Sequence, residues 1–348
     1  MGQADAPEAL PAALIVAGPT CSGKSALALE LARCLDGVVI NADSMQVYRE
    51  LRILTARPTP AEEGAVPHAL YGVRPAAKPG SAAWWRDAAL AAMDAARASG
   101  RVPILCGGTG LYLQALTQGI ADIPDPGDAA RTEARTLLAE LGPAALHARL
   151  MQADPATAAA LRPSDGQRLA RAWEVWRGTG RGMAAWHTTA GTEAEAGVQP
   201  AWAFRMMLLD PPRDTLRNAI DGRFTMMLEA GALQEAAALL ASPLDPAVPA
   251  LRAHGMPELS AYLRGELTLP EAHRRAVLAT GQYTKRQATW FRRRAIVDPC
   301  HTHTIHARFA DRTQFSESVW RGLMNFVKIV GPRTAPEGAM PGLLGDAT

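Results

Sequence analysis

No apolar stretch in these 348 residues approaches the length needed to cross a bilayer, and neither sign of charge dominates. The 36 Lys and Arg residues are balanced by 34 Asp and Glu, for a net charge of +2, which says nothing by itself about nucleic acid. Cysteine is scarce: Cys21, Cys34, Cys106 and Cys300 lie far apart and form no CxxC pair, so reduced thiols in a reducing compartment are expected rather than a disulfide framework. Met1 to Leu10 has neither the basic segment nor the apolar core of a signal peptide, and lacks the Ser or Thr expected for myristoylation. A cytoplasmic protein is expected, with no membrane association. There is no internal repeat. A 48% hydrophobic and 20% charged composition suits a soluble chain of one large domain or two modest ones.

What is present is most concentrated at Gly18-Pro-Thr-Cys-Ser-Gly-Lys24-Ser25. It matches G-x-x-x-x-G-K-S/T, follows the apolar run Ala12 to Ala17 and precedes the helical Ala26 to Ala32. Strand, glycine loop, helix is the context in which this motif binds phosphate. Gly18 and Gly23 let the loop Pro19-Thr20-Cys21-Ser22 curl its N–H groups inward. Lys24 adds a full charge and Ser25 a hydroxyl suited to Mg²⁺. Val38 to Asn41 and Val102 to Cys106 read as further strands, with the alanine-rich Ala82 to Ser99 as a helix between them. The alternation predicts an α/β fold with a P-loop NTPase-like parallel sheet. A linker begins at Asp122, and the helical texture that follows predicts a mostly helical insertion over 122–200 in a core of 1–121 and 201–330. Residues 331–348, rich in Gly, Pro and Ala, are expected to be disordered.

A nucleotidase would end a later strand in Asp or Glu to organise Mg²⁺ and water. Here that strand runs into Leu105-Cys-Gly-Gly-Thr109-Gly-Leu-Tyr112, with no carboxylate, and the nearest candidate is Asp43 in Asn41-Ala-Asp43-Ser44-Met45-Gln46-Val-Tyr48. These two segments and the GPTxSGKS loop are joined by Gln167-Arg168-Leu169-Ala170-Arg171 with Glu174, and by Thr284-Lys285-Arg286-Gln287-Ala-Thr-Trp290. In that order the five motifs resemble the isopentenyl-tRNA transferase (tRNA dimethylallyltransferase) family, over residues 12 to 295. The resemblance implies transfer of a dimethylallyl group from its diphosphate to N6 of the adenine immediately 3′ of the anticodon. Implied roles follow: loop residues 18–25 on the diphosphate, Asp43 as the base, Thr109 near the leaving oxygen and Arg223 clamping the diphosphate. Ser44, Met45, Gln46, Arg131, Gln167 to Arg171, Tyr283, Lys285, Arg286 and Gln287, together with Asp43 and Thr109, would meet the tRNA anticodon arm. The expected partners are dimethylallyl diphosphate, tRNA and Mg²⁺, with the protein acting as a monomer.

The chemistry agrees. Breaking an allylic C–O bond builds negative charge on pyrophosphate, and a cationic phosphate cradle stabilises it. The exocyclic amine is a poor nucleophile, which a carboxylate accepting its N–H improves. Asp43 is suited to this, the alternatives being a helix cap or an indirect Mg²⁺ contact. Extruding the base costs a few kcal/mol, which aromatic and basic residues offset. Lys285, Arg286, Arg292, Arg293 and Arg294 with Tyr283, Trp290 and Phe291 supply them, unless they form only a solvated helix face. The same alternative stands for Arg168 and Arg171.

Three positions depart from the family pattern: Leu54 with Arg57, Met256, and Gly281. All are expected at RNA contacts, none in the phosphate loop. Cys300-His-Thr-His-Thr-Ile-His306 is too crowded for a typical zinc site and reads as a polar strand or turn. Trp84-Trp85 reads as core packing, with a base platform as the alternative. A P-loop small-molecule kinase with a helical lid is the second functional reading. A GTP-type switch or ATP-driven RNA binder is the third, and would need a hydrolysis carboxylate that is not evident.

Overall fold

The computed structural model describes residues 10–188 and 202–328, so the tail expected to be disordered lies outside the described residues. Six strands form one parallel sheet: β1 (Ala12–Ala17), β2 (Gly37–Asn41), β3 (His68–Ala69), β4 (Val102–Gly107), β5 (Ala203–Leu209) and β6 (Thr302–Ile305), in the order β3-β2-β4-β1-β5-β6. β1 is apolar throughout because it lies between β4 and β5 with neighbours on every side, its last five residues buried. The loops that leave β1, β2 and β4 all open at the carboxyl edge of the sheet, where ligands of open α/β sheets bind.

The helices of this core are α1 (Lys24–Leu35), α2 (Pro60–Ala65), α3 (Ala82–Ala98), α4 (Gly110–Gln118), then, after the insertion described next, α8 (Arg213–Glu229), α9 (Ala232–Ala241), α10 (Met256–Leu263), α11 (Leu269–Arg293) and α12 (Glu317–Lys328). One core gathers Leu27 and Leu31 of α1, Leu14 and Val16 of β1, Phe309, and Trp320 and Leu323 of α12. Trp85 of α3 is fully buried, donates its indole N–H to Asn41 O at 2.8 Å and stacks on Tyr112 at 4.7 Å. It is a packing residue that anchors the end of β2, whereas Trp84 lies beneath the Arg74 guanidinium. The short α2 carries a complete capping box, Thr59 with Glu62, and proline at its first position.

The chain forms two compact units, one of residues up to 113 and from 201, the other of 114–200. Within the second lie α5 (Gly127–Ala153), α6 (Pro155–Ala159) and α7 (Gly166–Thr179). α5 consists of two helical stretches that meet at a kink, where Gly142 has φ 76° and Pro143 has no N–H to continue the ladder. Leu146, Leu150, Leu169, Ala170 and Trp173 share the core of this unit. The Cys300–His306 segment supplies β6, paired through Met206↔Thr302 to Leu209↔Ile305. His303 of that strand packs on Phe326.

Candidate active site

The phosphate loop follows β1 and ends at Lys24, the first residue of α1. Gly23 has φ 91°, and a side chain there would sit 1.9 Å from Phe309 O, so the loop closes only with glycine. Cys21 takes a left-handed φ of 66°, and its neighbours hold it there. Arg308 Nε donates to Cys21 O at 3.1 Å, Phe309 N to Ser22 O at 3.0 Å, and Arg223 Nη1 to Cys21 Sγ at 3.8 Å. Pro19 and Ser22 are buried supports of the loop, while Ser25 is open to solvent at the start of α1.

Lys24 lies beside Asp43, Arg223, Cys21 and Cys106. Burial pulls its ammonium below the usual lysine range, Asp43 and the two thiols oppose this, and Arg223 adds to it. The Cys106 thiol is pushed up to about 11 by burial, against the pull of Lys24 and a hydrogen bond with Ser25, so it stays neutral. A second anion would relieve the crowding of Lys24 and Arg223, which is what a diphosphate brings.

Asp43 is placed by backbone chemistry at the end of β2. Asn41 Oδ1 accepts from Asp43 N at 2.9 Å, and Asn41 Nδ2 donates to Asp43 O at 3.0 Å and to Leu70 O at 3.1 Å. Asp43 Oδ1 in turn accepts from Met45 N at 2.9 Å, fixing the carboxylate. Thr109, after β4, accepts from Ser44 N at 3.0 Å and donates to Ser44 Oγ at 3.3 Å, tying the two loops. Gln46 donates to Thr55 O and Ala56 O at 2.9 and 3.0 Å. The loop carrying those carbonyls is held by Glu235, whose carboxylate accepts from the N–H groups of Arg52, Ile53 and Leu54 at 2.7–2.9 Å.

On its other side Asp43 acts electrostatically on His254 and Tyr283. The two rings lie 4.4 Å apart, and the Arg286 guanidinium stands 5.6 Å from the Tyr283 ring. Burial lowers the His254 imidazole and raises the Tyr283 phenol, so both rings are neutral. The carboxylate therefore acts both on the cationic cluster at the phosphate loop and on the aromatic pair formed by α11 and the loop before α10. A cavity of about 630 Å³ opens between α8 and α11, with Arg213, Arg217, Arg274 and Lys285 on its rim. Its floor includes Ile220 and Val277, which also pack on Cys21.

Several expected RNA contacts face elsewhere. Gln287 is buried, at 4% exposure. Its Oε1 accepts from Thr20 N at 2.9 Å and from Thr20 Oγ1 at 3.2 Å, and its Nε2 donates to Gly108 O at 3.0 Å. Its amide is consumed as a staple between the phosphate loop and the Thr109 loop, so it is not free for RNA. Arg292 forms a bidentate pair with Asp210, and the Trp290 indole lies against Gly110. Lys285, Arg286 and Arg293 remain exposed. In the helical unit, Gln167 and Arg168 are exposed on α7, but Leu169 and Ala170 point into the unit's core because they fall on its apolar stripe. Arg171 pairs with Glu174 at 3.1 Å, and Arg131 with Asp125 and Asp128. Arg308, Glu235 and His254 were not singled out from sequence. For His254 the available signal was its place two residues before Met256, a departure from the family pattern.

The comparisons with known proteins concern the whole chain. The IPP transferase family model matches residues 46–294, and the Isopentenyl transferase model matches 11–67. A protein of Granulibacter bethesdensis named tRNA dimethylallyltransferase is 60% identical over 316 residues, covering 91% of this chain and 98% of its own. One of the same name from Gluconobacter oxydans is 61% identical, covering 90% of this chain and 93% of its own. The crystal structure of a tRNA isopentenylpyrophosphate transferase from Bacillus halodurans superposes with a TM-score of 0.63 at 29% identity, covering 92% of this chain and 97% of its own. A eukaryotic dimethylallyltransferase acting on tRNA gives a TM-score of 0.72 at 25% identity, with 92% of this chain and 80% of its own covered. These neighbours share the P-loop NTPase-like arrangement of the sheet. On matches of this extent and identity, the chain belongs to the IPP transferase family.

Proposed function

We propose that this protein transfers the dimethylallyl group of dimethylallyl diphosphate to N6 of the adenine immediately 3′ of the anticodon in tRNA, releasing pyrophosphate. The observation that carries the reading is Asp43, fixed at the end of β2 by Asn41 and the Met45 N–H, acting electrostatically both on Lys24 of the phosphate loop and on the His254–Tyr283 pair. The cationic loop is suited to a diphosphate and the aromatic pair to a flipped base, and the carboxylate influences both.

The loop N–H groups, Lys24 and Arg223 bind the diphosphate, the guanidinium supplying a planar fork for its oxygens. Thr109 holds its hydroxyl proton only through a 3.3 Å contact with Ser44, so it can turn to the bridging oxygen as negative charge grows there. The allylic C–O bond breaks with its electron pair going to pyrophosphate, and the N6–carbon bond forms. Asp43 takes the proton that the nitrogen loses. Ser25 suits a Mg²⁺ partnership. It is the exposed hydroxyl of the loop, and no group of three His, Cys, Asp or Glu among the described residues could hold an ion without substrate. Such a site fits an ion that takes few protein ligands and mostly phosphate and water oxygens. When bound, Mg²⁺ neutralises charge on the leaving diphosphate.

In this reading Lys285 and Arg286 of α11, with Arg131, Gln167, Arg168 and Arg171 of the helical unit, grip the phosphates of the anticodon arm. The protein acts as a monomer in the cytoplasm. Among the described residues no helix is long and apolar enough to cross a membrane.

The test uses purified protein, Mg²⁺, unmodified tRNA and radiolabelled dimethylallyl diphosphate, with Asp43→Ala and ATP as controls. Label is expected in tRNA, lost in the variant, with ATP untouched. Absence of label with turnover of ATP would overturn the reading in favour of a kinase.

A further inference from the structure

The loop before α10 belongs to none of the five sequence motifs, yet it packs on the 51–57 loop that Gln46 of the Asp43 turn holds, and its His254 ring feels the Asp43 charge. His254 is half-buried, and its ring centroid lies 4.4 Å from that of Tyr283 at an interplanar angle of 46°. Its backbone is not free to move. Gly255 has φ 92°, and a side chain there would meet Phe224 at 2.8 Å and Leu54 at 3.1 Å, so the loop is pinned between α8 and the 51–57 loop. The departures Leu54 and Met256 thus flank His254, Leu54 packing against Gly255 and Met256 fully buried.

The charged and titratable groups that face the ring are Asp43, Arg286 and Tyr283. Asp43 favours the imidazolium, but burial and the Arg286 guanidinium outweigh it, and the ring is held neutral. A neutral, pinned imidazole packed 4.4 Å from a phenol, with a guanidinium beyond it, supplies aromatic surface without adding a cation. That is how proteins hold a base removed from its stack.

We propose that His254 is a positioning residue which, with Tyr283, forms the wall against which the target purine is held beside Asp43. This rests on the transferase reading above and adds to it a residue that acts through its ring face rather than through its proton.

The experiment compares the full-length wild type with His254→Ala and His254→Phe on two RNAs. One is an anticodon stem-loop with adenine at the target position, the other the same RNA with an abasic nucleotide there. Equilibrium binding should show the wild type preferring the adenine RNA by about tenfold, toward the lower end of what loss of one stacked base gives. His254→Ala should erase that preference while leaving affinity for the abasic RNA unchanged, and His254→Phe should restore it. In turnover, His254→Ala should raise KM for tRNA by about the same factor, with KM for dimethylallyl diphosphate within about twofold.

Equal weakening on both RNAs, an unchanged preference in His254→Ala, or failure of phenylalanine to restore it would overturn the proposal. So would a wild type that does not distinguish the two RNAs. Should His254→Ala not fold, His254→Leu, which keeps bulk without a π face, makes the same comparison. Label transfer by the wild type separates the two levels. No transfer at all defeats the transferase reading, whereas normal transfer with intact discrimination in His254→Ala defeats only the role of the ring.

Discussion

At the scale of single residues, the site works by opposing burial with charge. Asp43→Asn keeps the turn to Met45 N but cannot take a proton, so kcat should fall by about 10²- to 10⁴-fold while KM for dimethylallyl diphosphate moves little. Steady-state kinetics with each substrate varied in turn checks this. Lys24 carries a pH dependence of definite sign. Its pKa in the free protein lies below 10.5, so between the lowered value and 10.5 the folded state binds fewer protons than the unfolded chain. Stability therefore rises with pH across that window. Diphosphate affinity does the opposite, because the ammonium is lost as pH rises through the lowered pKa. KM for dimethylallyl diphosphate should climb on the alkaline side in the wild type. In Lys24→Arg, whose guanidinium stays charged, the climb should vanish even if the starting KM is higher.

At the scale of elements, the loops at the carboxyl edge of the sheet are fastened to one another by side chains from distant segments. Gln287 of α11 joins the phosphate loop to the Thr109 loop, Arg308 holds Cys21 O, and Glu235 of α9 occupies a nest of three N–H groups in the 51–57 loop. Gln287→Ala strands a backbone donor at Thr20 and an acceptor at Gly108, at about 1–3 kcal/mol for each group left unsatisfied. A drop in Tm by calorimetry together with a higher KM for dimethylallyl diphosphate is expected. A loss confined to tRNA affinity would instead return Gln287 to the RNA surface. The Thr284 to Trp290 motif was legible as a string of letters, and Lys285 and Arg286, expected at tRNA contacts, lie exposed. Which face of the helix each residue occupies was not legible, because α11 packs along α8 and α10 and their positions are not written in a local pattern.

At the scale of the whole molecule, a net charge of +2 leaves RNA binding to local clusters rather than to a global field. KM for tRNA should therefore rise steeply with salt, and KM for dimethylallyl diphosphate less so. Arg168→Ala removes an exposed guanidinium of α7 that pairs with Asp165 at 3.4 Å, looser than the 3.1 Å pair of Arg171 with Glu174, and should lower the magnitude of the log–log salt slope by about 1 in a binding titration. Arg171 is already neutralised in part by Glu174, so its removal should change the slope less. The two compact units each have a buried core of their own, and Asp43, Lys24 and Arg223 all belong to the first.

The sequence by itself determined the strand–loop–helix of the phosphate site, the alternation that builds a parallel sheet, and the carboxylate at the end of β2. Each of these is encoded by neighbouring residues: glycine spacing, an apolar run, one acidic residue after a buried strand. Only the tertiary structure decided that Gln287 staples two loops, that Leu169 and Ala170 turn inward, and that Arg308 and Glu235 fix backbone far from them in sequence. It also decided that His254 packs on Tyr283 within reach of the Asp43 charge. Whether a polar side chain meets solvent, a substrate or a backbone amide depends on what packs over it. That partner lies up to 287 positions away in this chain, beyond any local pattern.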